Sequence, residues 1–170
     1  ENAWISLRNR LGSKGLLETG NPPAGWLGYG KDIKTADTFR ANILKMIELA
    51  QRRGTLPLLT TYASWIPPDY SLDGFRTGTL DYDKHLLPVE IWGQPLWVAK
   101  AVAAHNAQIR SIVAKQPTLC AFADIESLLP KGKEVFDDIA HLTPPGCSLF
   151  VAGVIGALPI GCRDPGSFEW

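Results

Sequence analysis

The chain predicts an α/β domain, a mainly parallel sheet covered by helices, on three observations. Short apolar runs alternate with amphipathic stretches in the order strand, helix, strand, helix, strand, helix. Glycine, proline and aromatic residues collect between those stretches, over 13–34 and 63–95. The 170 residues are 45% hydrophobic and 20% charged, the balance of a chain that closes one core as a single domain over 1–170. The 17 basic residues cancel the 17 acidic ones, so no net field draws in nucleic acid or an anionic membrane surface. No apolar run is long enough for a membrane span, since Leu149–Ile160 is broken by Gly153, Gly156 and Pro159.

The first strand is Ala3–Leu7, emptying into Arg8-Asn9-Arg10. A long loop over 13–34 follows, with Pro22-Pro23, Trp26 and Tyr29. Thr35 or Asp37 caps a helix whose apolar positions Phe39, Ile43, Met46, Ile47 and Ala50 recur at three and four, with Arg52 and Arg53 near its end and Gly54 just past it. Leu56–Tyr62 reads as a second strand, with Pro57 where no ladder donor is needed. A Trp/Pro-rich excursion over 63–95 has no sustained period and crosses one end of the sheet. Leu96–Lys115 is a helix with Val98, Val102, His105 and Ile109 on one stripe. Thr118–Ile125 is the third strand, 128–140 a loop, and Pro145–Leu158 a last helix with proline in its first turn.

This order implies right-handed crossovers and a flavodoxin-like three-layer α/β/α domain. Three strands make a thin sheet, so either elements ahead of Glu1 complete it on the N-terminal side or something else covers its open edge. Ligands of open α/β sheets sit at the carboxyl ends of the strands. Those ends lead here into Arg8-Asn9, Tyr62–Trp65, and Asp124 with the loop to His141.

That last loop holds the sharpest chemical signal, Asp138-Ile139-Ala140-His141. A carboxylate three residues before a histidine can bond one ring nitrogen, fix the tautomer and leave the other nitrogen as a general base. The plain alternative is a solvated loop pair beside a helix-capping Thr143.

The wider block Asp124-Ile125, Leu129-Pro130 and Phe136-x-Asp138-x-x-His141-Leu142-Thr143-Pro144-x-Gly146 resembles the closing block of the SGNH (GDSL-like) serine hydrolases. His105-Asn106-x-x-Ile109-Arg110 and Phe39-Arg40-x-Asn42-Ile43 resemble that family's middle section, so the likeness runs from Asp37 to about Leu158. It implies an esterase or acyl hydrolase without a cofactor or metal, His141 as base and Asp138 as its orienting acid. Leu7-Arg8-Asn9-Arg10 stands where the family has G-x-N-D. Only the asparagine agrees, and the resemblance makes Asn9 an oxyanion donor; a turn-forming Asn9 between solvated arginines is the alternative.

The family's G-D-S nucleophile block does not occur in the chain. The likeness therefore places the serine upstream of Glu1 and implies that these 170 residues alone are inactive. Ser148 sits on the first turns of the last helix, and Ser64 ends the second strand with no motif around it. Arg8, Trp65 and Trp92 are substrate-binding candidates, the arginine for an anionic group, the tryptophans for a carbohydrate or an acyl group; a mere cover over the sheet is the other reading of the aromatics. His105 reads as a packed helix histidine behind the site, and His85 has no ligand spacing for a metal. Cys120, Cys147 and Cys162 are too scattered for a zinc site, and Cys147 and Cys162 are free to be idle or paired. The expected substrate is a small-molecule or carbohydrate ester. The rival function is a catalytically idle α/β module that holds a glycan or other small ligand.

Overall fold

The computed structural model describes residues 31 and 33–159. Within them the first helix, α1, spans Ala36–Arg52. Its end is set by the sequence beyond it: Gly54 takes φ +67°, and the Gly54 and Thr55 amides donate back to Gln51 O and Ala50 O, both at 3.0 Å. Those two bonds satisfy carbonyls the helix would otherwise leave bare, at a position only glycine adopts freely. At the other end Thr35 holds the N-cap position, yet its hydroxyl pairs with His105 Nε2 at 2.9 Å instead of capping. Asp37 in the first turn and Arg52 in the last complement the helix dipole.

Strand β1, Leu58–Thr60, pairs in parallel with β2, Ala121–Ala123, in the register Leu58 to Ala121, Leu59 to Phe122 and Thr60 to Ala123. Pro57 precedes the ladder and accepts from Ala121 N through its carbonyl, 2.9 Å, so its missing N–H costs nothing. Both strands are shorter than the apolar runs that announce them. Beyond Thr61 the backbone of β1 is taken over by a side chain: Asn106 Oδ1 accepts from Tyr62 N at 2.8 Å, and Asn106 Nδ2 donates to Tyr62 O at 2.9 Å. Beyond Ala123 the chain turns at once into a short helix. Ile125, expected to close the third strand, opens that helix instead. The expected strand Ala3–Leu7 lies outside the described residues; within them the sheet has two strands.

Between β1 and β2 run α2, Leu72–Thr77, a 3₁₀ turn over Val89–Ile91, and α3, Pro95–Lys115. Ser71 caps α2 by accepting from Gly74 N, and Gly78 ends it at φ +70°. After β2 come α4, Ile125–Leu128, and α5, Pro144–Ala157, which opens on two prolines at positions whose amides have no helical partner. No described helix is long and apolar enough to cross a membrane.

Two apolar clusters hold these elements. Leu59 and its register partner Phe122 join Ile47 of α1 and Ile109 and Ile112 of α3. Ala123, the next residue along β2, joins Phe75, Ile125, Leu129 and Phe136, with Phe150 and Val154 of α5 packed against them. Alternate strand residues thus serve different clusters, as the pleat requires. The result is a mixed α/β architecture with a parallel pair of strands at its centre. An open groove of about 680 Å³ runs along β1, walled by Leu58–Ala63, by α1 and α3, and by Leu142 and Phe150.

Candidate active site

The loop after α4 returns on itself around Asp138–His141. Phe136 and Leu142 form an antiparallel bridge, Asp137 N donates to His141 O at 2.8 Å, and Thr143 N donates to Val135 O at 3.0 Å. Thr143 then caps α5, accepting from Gly146 N at 3.1 Å and donating to Glu134 O at 2.6 Å. Gly146 is required by contact: a Cβ there would lie 2.3 Å from the Val135 carbonyl oxygen. The run Thr143-Pro144-Pro145-Gly146 is therefore a joint that locks the loop to the helix.

At the tip of this loop Asp138 is fully buried. Its Oδ1 accepts from the amides of Ala140 and His141, both 2.9 Å, and its Oδ2 from the amide of Leu87, 3.0 Å. The His141 ring completes the set, with Nδ1 at 2.8 Å from Oδ2 and 2.9 Å from Oδ1. A buried carboxylate is tolerable only when donors replace the lost water, and here three amides and one ring nitrogen do so. An ionised carboxylate accepts only, so against it the ring donates from Nδ1, and a neutral ring in that tautomer has its lone pair on Nε2. The His141 side chain is 50% exposed, and Nε2 has no hydrogen-bond partner among the described residues.

The excursion over 63–95 supplies part of this scaffold. Asp83 N donates to Phe136 O, and the amides of Lys84 and His85 both donate to Asp137 O, the latter at 2.8 Å with His85 held at φ 54°. Lys84 Nζ meets the Asp137 carboxylate at 2.9 Å. These ties deliver the Leu87 amide to Asp138. On the other flank Trp65 N donates to Ile139 O at 2.9 Å, and Tyr82, fixed by a bond from its hydroxyl to Trp65 O, lies beneath. Burial, then the Asp138 charge, raises the Tyr82 phenol above its ordinary value, and the same two causes raise Tyr62.

A cavity of about 250 Å³ adjoins the loop, with Ile139 and Ala140 in its wall. Tyr62 and Ser64 from the end of β1, Trp92, and the Trp97–Ala101 face of α3 enclose it. Trp92 is 47% exposed on its rim. Trp65 turns the other way, packing half-buried against the Phe75–Phe136 cluster, so the two candidate tryptophans part company. His105 lines both the cavity and the groove, stacked on Phe39 at 4.5 Å between ring centroids and tied to Thr35; it has no bond to His141. Ser64 lines the cavity without bonding His141, and Ser148 Oγ donates to Pro144 O within α5. His85 packs edge-on to Phe75 and Tyr82. Cys120 is buried, Cys147 exposed, and Cys162 lies outside the described residues. Asn9 and Arg8, the expected oxyanion donor and anion-binding group, also lie outside them. No group of three or more His, Cys, Asp or Glu among the described residues could hold a metal ion.

Asp124, quoted beside Asp138 for the family likeness, has a different occupation. Arg110 grips it through Nε at 3.0 Å and Nη2 at 2.8 Å, and Thr61 donates to it at 2.8 Å. The guanidinium holds its carboxyl down at about 2. Compared with protein families, with curated proteins and with solved structures, the chain gives no match.

Proposed function

We propose that this chain carries the acid and base of a serine ester hydrolase of SGNH type, on a flavodoxin-like three-layer domain. One observation carries the reading: a fully buried, amide-saturated Asp138 holds the half-exposed His141 by Nδ1 and leaves Nε2 without a partner among the described residues, next to Ile139 and Ala140 of the cavity wall. In the proposed reaction a serine supplied from ahead of Glu1 gives its proton to Nε2 as its oxygen bonds the acyl carbon. The imidazolium, balanced by Asp138, returns that proton to the departing alcohol oxygen as the ester C–O bond breaks. Water then repeats the sequence to free the acid. Asn9 is the proposed amide donor to the oxyanion.

The test uses the full-length product that includes the upstream residues. A His141→Ala substitution should lower kcat/KM for a simple ester by about 10⁴-fold while leaving the fold intact. A rate unchanged by that substitution removes the hydrolase reading and leaves the rival, a non-catalytic module that holds a glycan. Labelling by a fluorophosphonate probe should be present in the intact protein and lost in the variant.

A further inference from the structure

The cavity beside His141 is selective by its chemistry. Along α3 the residues Trp97, Val98, Ala101 and Val102 form one continuous apolar stripe, spaced as neighbouring turns of a helix are. Ile139 and Ala140 face in from the loop. Lys100 Nζ sits 4.7 Å from the Trp97 ring centroid and covers that ring. The polar groups in the wall are the Tyr62 and Ser64 hydroxyls, the two indole N–H groups and His105, which spends Nε2 on Thr35, and the surface that the lining presents is mostly apolar. A sugar ring brings several hydroxyls, each of which needs a partner when it leaves water, and a mostly apolar surface leaves most of them facing carbon. An apolar chain loses nothing there.

We propose that this cavity of about 250 Å³ is an acyl pocket for an apolar acyl group of about six to ten carbons, a range set by scaling from the ~150 Å³ cavity that encloses the six carbons of benzene. The ester carbonyl then stays at the mouth, where Ala140 leads into His141. The pocket deepens the hydrolase reading and rests on it for the position of the carbonyl, but its affinity for an apolar chain stands alone.

The experiment is a titration of the full chain with hexanamide and with acetamide, following the indole N–H signals of Trp92 and Trp97 by heteronuclear NMR. Each buried methylene should tighten binding about fourfold, so hexanamide should bind at least about tenfold more tightly than acetamide even if burial is incomplete. Ala101→Phe, which fills the cavity, should abolish that preference; if this variant does not fold, Ala101→Val should reduce it at least about threefold. Equal affinities for the two amides, or competition by methyl glucoside at the same indole signals, overturns the proposal. The two readings separate in the full-length product. Hexanamide binding without turnover of any hexanoyl or acetyl ester removes the hydrolase and keeps the pocket. Turnover of both esters with a ratio indifferent to Ala101→Phe keeps the hydrolase and removes the pocket.

Discussion

Two aspartates close to the ends of the central elements, Asp124 and Asp138, show how neighbours decide what a carboxylate does. Asp124 faces a guanidinium that grips both its oxygens, and Thr61 and Ser127 add hydroxyls. Arg110 is also paired with Glu126 at 2.5 Å, so its guanidinium is shared between two carboxylates and both oxygens of Asp124 are taken up by that grip. Asp138 has no cation but three amides and one imidazole. Amides cannot move a proton; the imidazole can, and its second nitrogen has no partner among the described residues on a half-exposed ring. The first aspartate is a clasp between α3 and the end of β2, and the second is a handle on a base.

The largest effect expected from breaking this contrast is catalytic. Asp138→Asn should cost about 10³-fold or more in kcat because the amide favours the wrong tautomer of His141, whereas Asp124→Asn should leave kcat within a few-fold. Next comes packing at the joint behind the handle. Gly146→Ala should destabilise the fold by about 2–3 kcal/mol, read by chemical denaturation, because its methyl meets the Val135 carbonyl. Asn106→Leu should cost a similar amount, about 2–3 kcal/mol, by stranding the Tyr62 N–H and C=O that the amide now satisfies.

The smallest effect is the pH dependence that belongs to the clasp. Asp124 is held near 2 in the folded chain, below the ordinary 3.8, so its contribution is fully present above about pH 4 and is lost as pH falls toward 2. Denaturation curves between pH 5 and 2 should therefore flatten in Asp124→Asn relative to the parent.

The three long helices, α1, α3 and α5, were legible in the chain because each combines an apolar period with a boundary residue at one end. Gly54 lies just past the end of α1, and Pro95 and the Pro144-Pro145 pair stand at the first turns of α3 and α5. The strands were legible in place but not in length, since Asn106, fifty residues downstream of Leu56 in sequence, ends the pairing of β1 from another element. Nothing local announces that bond. Helix α2 escaped the reading although Ser71 and Gly78 bracket it, because the surrounding Trp, Tyr and Pro obscure a six-residue period. At the site, the Asp138-x-x-His141 spacing translated directly into contact, because three residues are what a tight loop needs to fold a ring back on a carboxylate. The Leu87 amide that completes Asp138 was invisible, as a backbone donor leaves no mark on residue type, and so was the role of Lys84 and Asp137 in bringing it there. Trp65 and Trp92 looked alike as aromatic residues of one excursion; the Ile139 carbonyl that takes the Trp65 amide separates them.

The central claim is that Asp138 fixes the proton of His141 on Nδ1. Long-range ¹⁵N–¹H NMR of the His141 ring at neutral pH reads this directly in the full chain. The expected spectrum shows a protonated Nδ1 and an unprotonated Nε2, with the pattern reversed or averaged in Asp138→Asn. A ring protonated on Nε2 in the parent chain, or a spectrum unchanged by Asp138→Asn, contradicts the account.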